Sequence, residues 1–95
     1  MYTVFEWDNA KAETNHRKHK VRFEEAATVF HDPFIANMPD PDHSTAAEER
    51  MIAIGHSVNG RLLIVVYVER EGRIRVISCR KATVMERRMY EEDSE

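Results

Sequence analysis

Residues 62–68 read LLIVVYV. In an extended chain Leu62, Ile64, Val66 and Val68 point one way while Leu63, Val65 and Tyr67 point the other, so the segment is apolar on both faces. Such a strand belongs inside a sheet with cover on each side. Burying one Leu or Val side chain is worth roughly 1.5–3 kcal/mol, so neither face can be left to water. The chain must therefore supply a layer on each side of a sheet. At 95 residues it does so within a single domain, 1–95, near the lower end of what buries a self-sufficient core.

The segments around this strand supply those layers. YTVFEW (2–7) is rich in β-branched and aromatic residues and reads as a strand. Asp8 stands at a helix N-cap position before NAKAETNHRKHK (9–20), a helix with little apolar surface. Its inward stripe is Ala12, Asn15 or His16, and His19, so part of its inner side must be polar and satisfied. Phe23, Ala26, Ala27 and Phe30 fall at i, i+3, i+4 and i+7, which predicts an amphipathic helix over 23–30. Pro33 ends it by pushing Asp32 out of the helical region. FIANM (34–38) reads as a short strand and PDPDHSTAAEE (39–49) as a loop. RMIAIGHSV (50–58) alternates, with Ile52, Ile54 and Val58 on one face beside Arg50 and His56. Asn59-Gly60 is a hairpin turn into RLLIVVYVER (61–70), and EGR turns the chain into IRVISCRKA (74–82), giving an antiparallel meander. TVMERRMYEE (83–92) is a last helix, with Thr83 and Glu86 spaced as a capping box and Met85, Met89 and Arg88 on one side.

Composition narrows the class. A hydrophobic content of 42% beside 33% charged residues suits a compact globular chain. The longest apolar run is far short of a bilayer span, and MYTVFEWD lacks the features of a secretory signal, so no membrane role is expected. Cys79 is the only cysteine, which fits a reducing cytoplasm. The net charge is −3, from 17 acidic and 14 basic residues. That balance argues against a nonspecific nucleic-acid coat but permits a local cationic concavity. The segment NHRKHKVR (15–22) gathers four Lys or Arg and two His without an acid.

The order strand, helix, helix, antiparallel strands, helix carries motifs along nearly the whole chain. They are FEWD..KA..N..KH at 5–19, FEEA..VF.DP at 23–33, DHS...EER...IG.S..GR.L.VVY.ER at 42–70 and IR.IS.RKAT..ER..YE at 74–91. In this order and spacing they make the sequence resemble the BrnT family of bacterial type II toxins, within the wider RelE/ParE-like group of ribonuclease toxins. The resemblance implies a RelE-like α+β fold: a mostly antiparallel sheet with two N-terminal helices and one C-terminal helix. It implies an endoribonuclease that restrains growth by stopping translation. Its implied partners are RNA and a BrnA-type ribbon-helix-helix antitoxin, with operator DNA bound only by the complex. Two segments depart from the family pattern. After KH the family has Gly, Val and then a capping Ser or Asp; here Lys20, Val21 and Arg22 stand. Family ISARKA is ISCRKA.

Metal-independent RNA cleavage needs a base for the 2′-OH proton, cations for the crowded phosphate and an acid for the leaving 5′-oxygen. Arg80 is the first phosphate ligand, since its fork matches two oxygens and keeps its charge; a structural ion pair with Glu69 or Glu86 is the alternative. Lys18 is a second phosphate contact and His19 a proton carrier; a solvated helix end suited to the C-terminal dipole is the alternative for both. Arg50 and His56 are secondary contacts, too far apart for one phosphate unless RNA runs along the strand; an ion pair with Glu48 or Glu49 is the alternative for Arg50. Glu86 is a capping carboxylate first and a general base second. The expected site is a cationic notch where the end of the first helix meets the end of the last strand, with no cofactor. His16 and His19 have metal-ligand spacing but no further ligand. Trp7 and Tyr67 read as core more than as base-stacking platforms, Met85 and Met89 as core filler, and His43-Ser44 as loop chemistry. The rival function is a binding module: a toxin homologue of weak or lost activity that holds its antitoxin and tunes operator binding.

Overall fold

The computed structural model describes residues 3–93. β1 (Val4–Glu6) leads into α1 (Asn9–His19), α2 (Phe23–Thr28) and a single 3-10 turn (Val29–His31). β2 (Ala36–Pro39), β3 (Arg50–His56), β4 (Leu62–Arg70), β5 (Arg73–Lys81) and α3 (Val84–Asp93) follow. The strands form one sheet in the order β1-β5-β4-β3-β2, so the doubly apolar β4 is central. The β3-β4-β5 meander is antiparallel, as is β2 against β3. β1 pairs parallel to β5, from Val4 opposite Arg73 to Glu6 opposite Arg75, which makes the sheet mixed. Tyr2, the expected start of β1, lies outside the described residues.

α1 and α2 cover one face. Val21, Phe23, Ala26 and Val29 bury against Ala53, Leu63, Val65, Tyr67, Val76 and Cys79. The second helix, expected to run unbroken over 23–30, stops at Thr28, whose hydroxyl donates to the Glu25 carbonyl (2.7 Å) and accepts the Val58 N–H (2.9 Å). The chain tightens into the 3-10 turn, and Asp32 is extended before Pro33, as its ring requires. Gly55 permits this close crossing: a Cβ there would lie 3.0 Å from Val29 Cγ1 and 3.2 Å from Asp32 Oδ2.

The opposite face has the smaller core of Ile54, Leu62, Ile64 and Tyr90, with α3 laid over it. Met85 and Met89 are not core filler: they are 73% and 52% exposed, and Tyr90 is the buried residue of the helix. The capping box explains this exposure. Thr83 Oγ1 accepts the Glu86 N–H (3.2 Å) and Glu86 Oε1 accepts the Thr83 N–H (2.8 Å). With Glu86 turned inward, Tyr90 at i+4 faces the sheet, Met85 faces out and Met89 is left at the rim of the sheet face. α3 covers only one end of this face, and Val66, Ser78, Arg50 and Arg75 beyond it stay half-buried. Trp7 and Tyr67 are packed, Trp7 edge-on to Phe23 and Tyr67 edge-on to Phe30 with its hydroxyl donating to Asn37. No helix among the described residues is long and apolar enough to cross a membrane.

Candidate functional site

β1 pairs only with residues 73–75 of β5, so the outer edge of β5 beyond them lacks a strand. Asn15 of α1 takes that place. Its Oδ1 accepts the Cys79 N–H (3.0 Å) and its Nδ2 donates to the Cys79 carbonyl (2.9 Å) and to the Val21 carbonyl (3.0 Å). This buried carboxamide is the satisfied polar side that so polar a helix requires. Burial, with the Asn15 contact opposing it, pushes the Cys79 thiol up to about 12. Lys18 and His19 lie three and four residues on from Asn15, hence on the same side of α1. They line an open depression together with Ile77 and Ser78. The next residue, Lys20, ends the helix in the left-handed region (φ 61°), its N–H donating to the His16 carbonyl. Arg22 precedes α2 with no side-chain cap.

Ile77 is the extra residue of a β-bulge, between the pairs Val66–Ser78 and Tyr67–Val76. Val76 therefore faces α1 and α2, whereas Ser78 and Arg80 face the α3 side. Arg80 makes a two-pronged pair with Glu86: Nη1 to Oε1 at 2.8 Å and Nη2 to Oε2 at 2.9 Å. Arg80 and the Thr83 N–H together hold the Glu86 carboxyl down at about 2, against the opposing cost of burial. The pair closes one end of an apolar groove floored by Ile52, Ile54 and Ile64 and walled by Tyr90 and Met89.

A second polar cluster sits at the far end of α3. Tyr90 Oη donates to Asp32 Oδ2 (2.6 Å), and His56 donates its backbone N–H to the same oxygen (2.7 Å). His56 Nδ1 lies 3.1 Å from Tyr90 Oη. Burial, then the bond to Asp32, raises the Tyr90 hydroxyl to about 12. Asp32 stays below its ordinary range although burial opposes this, because Tyr90, His56 and Phe34 all donate to it. Arg50 shares the face of His56 but starts β3, and six residues of strand separate them by roughly 20 Å. The Arg50 guanidinium has no hydrogen-bond or ion-pair partner among the described residues.

The expected notch is therefore built differently. α1 does end against β5, but at Ile77 and Ser78; Lys18 and His19 share no depression with Arg80. Arg80 stands two residues from Ser78 on the same face, roughly 7 Å along the strand, with its guanidinium turned to Glu86. Arg80 and Glu86 are brought together; His56 belongs to the Tyr90–Asp32 cluster, and Arg50 stands apart. The sequence reading missed Asn15 as an edge mimic and Asp32 and Tyr90 as a pair. Local spacing signals none of these contacts, because the partners lie 64 and 58 residues apart. No three His, Cys, Asp or Glu side chains converge as a metal set among the described residues.

Residues 7–86 match the family described as "Ribonuclease toxin, BrnT, of type II toxin-antitoxin system". Comparison with curated protein sequences gives no match. Among solved structures, the fold is similar to that of the Brucella abortus ribonuclease toxin BrnT, with a TM-score of 0.67 and 24% identity. The similarity covers 86% of this chain and 99% of that one.

Proposed function

This chain belongs to the BrnT family of ribonuclease toxins of type II toxin–antitoxin systems, and on that premise we propose that it cleaves RNA by attack of a 2′-OH on the adjacent phosphate, without a metal. The observation that carries this reading is Arg80. Its guanidinium lies on the partly open sheet face, 42% exposed at the side chain, and presents its two-pronged edge to a carboxylate. A phosphate offers the same pair of oxygens with more charge, so it can replace Glu86. Lys18 and His19 line a separate depression that reaches β5 at Ser78, so they serve the reaction where bound RNA bridges from the Arg80 face to it, Lys18 as a second positive charge and His19 as a proton carrier.

Glu86 is a poor base while Arg80 holds it, since a carboxyl at about 2 has little affinity for a proton. When a phosphate takes the Arg80 fork, that stabilisation is lost and the carboxylate becomes more basic beside the bound substrate. Glu86 is thus a positioning residue at rest and a candidate proton acceptor after substrate arrives. His56 is better employed in holding α3 through Tyr90 than in contacting the phosphate. The antitoxin is a BrnA-type ribbon-helix-helix protein, operator DNA is bound only through the complex, and the site of action is the cytoplasm.

The test is purified chain with single-stranded RNA in excess EDTA. The proposal expects cleavage that leaves 2′,3′-cyclic phosphate ends and fails on RNA with 2′-deoxy at the cut position. Cleavage abolished by EDTA and restored by a divalent ion contradicts it. Intact RNA from a folded sample that still binds its antitoxin favours the rival binding module. The closed Arg80–Glu86 pair and the departures at Lys20 and Arg22 give that rival its support.

A further inference from the structure

Away from α3, the same sheet face carries a second cationic cluster. Register places Arg50, Val68 and Arg75 in one row across β3, β4 and β5, with Arg70 opposite Arg73 beside it. Cross-strand partners share a face, so all four guanidiniums rise from the side that bears Arg80. Among the described residues, two carboxylates pair with them. Glu6 pairs with both Arg75 (3.0 Å) and Arg73 (3.4 Å), and Glu48 pairs with Arg70. The Glu48 carboxyl is held below its ordinary range by Arg70 first, with the charges of Arg50 and Arg75 adding to the pull. Four guanidiniums there share two paired carboxylates, on a chain whose net charge is −3. The Arg50 guanidinium makes no hydrogen bond or close ion pair among the described residues, and acts on Glu48 through longer-range charge attraction.

We propose that this Arg50–Arg75 end of the open sheet face is a second phosphate subsite, which holds single-stranded RNA one or more nucleotides away from the phosphate at Arg80. The inference rests on the ribonuclease reading above and extends it to substrate binding. Arg75 and Arg80 stand on one strand, five residues or roughly 15 Å apart, with half-buried Ser78 and Val66 on the floor between. Arg50 and Arg75 stand about 10 Å apart across two strand spacings, flanking buried Val68. Planar guanidiniums bind phosphate oxygens and stack on bases, which suits an unpaired strand lying along the face. An acidic protein segment is the competing occupant, but it has no reason to share its path with the Arg80 phosphate position.

Two measurements test the subsite. The first is binding of a 2′-O-methyl oligouridine of eight nucleotides, which resists cleavage, across a salt series. Each lost single-strand phosphate contact lowers the slope of log K against log salt by about 0.7. Arg50→Ala is therefore expected to lower it by about 0.7, and Arg50→Ala with Arg75→Ala by about 1.4. The second is the ratio of kcat/KM for an octaribonucleotide to that for a dinucleotide, expected to fall at least tenfold in the double variant. Because Arg75 also pairs with Glu6, folding is checked by circular dichroism, and Arg50→Ala alone suffices if the double variant unfolds. An unchanged salt slope, or loss of antitoxin affinity with RNA binding intact, overturns the subsite. If the wild type cleaves nothing, the ribonuclease reading fails, while the binding series still decides the subsite.

Discussion

Lys20 holds the left-handed conformation (φ 61°) that a glycine adopts without steric penalty. The helix still terminates there, with the cap N–H on the His16 carbonyl, so the fold tolerates the strain of roughly 1 kcal/mol. Lys20→Gly is expected to raise unfolding stability by up to about 1 kcal/mol in urea titration. An unchanged or lower value would show that the lysine side chain stabilises this turn. The helix was expected to run through Lys20, and only the family's glycine at this position pointed to a left-handed terminator; Lys20 itself carries no such signal. The Thr83–Glu86 box was legible, since both partners lie within one helical turn. Asn15 was recognised as part of a polar inner stripe, but not as the mimic of a missing strand. That role requires knowing where β1 stops pairing with β5, and nothing near Asn15 encodes it.

Elements are tied to one another here by a few polar hooks as well as by apolar burial. Glu25 of α2 accepts from Arg61 and from Ser57 (2.7 Å), joining the helix to the hairpin between β3 and β4. Arg61 chiefly, and then Ser57, hold the Glu25 carboxyl at about 2 from an ordinary 4.5, against burial. A depressed carboxyl stabilises the fold above its unfolded value, and that contribution fades as pH falls from about 4.5 through about 2. With the Glu25 side chain only 9% exposed, the amount is about 3 kcal/mol. Unfolding stability of the wild type should drop across this window, and Glu25→Gln should be less stable at neutral pH with a shallower acid limb. An acid limb unaltered by Glu25→Gln would contradict the role given to this pair. At α3 the sequence misled about facing. Met85 and Met89 outrank Glu86 and Tyr90 in hydrophobicity, yet the cap and the Arg80 pair set the helix rotation.

The whole molecule is a mixed sheet with one face closed by two helices and the other half closed by one. That β4 lies at the centre follows from its sequence alone, because both its faces are apolar. That β1 runs parallel to β5 does not, because a three-residue edge strand gives no local sign of its partner. The half-open face carries Arg80 at one end and the Arg50–Arg75 cluster at the other, while α1 brings Lys18 and His19 to the nearby β5 edge. On the proposed reading, this charge distribution lets a chain of net charge −3 attract RNA to that side. The central claim is that Arg80 grips the scissile phosphate, and single-turnover cleavage of RNA by Arg80→Ala tests it most directly. The account predicts a loss of at least about 100-fold with the fold intact by circular dichroism, partly recovered in Arg80→Lys. Cleavage by folded Arg80→Ala at the wild-type rate would contradict it.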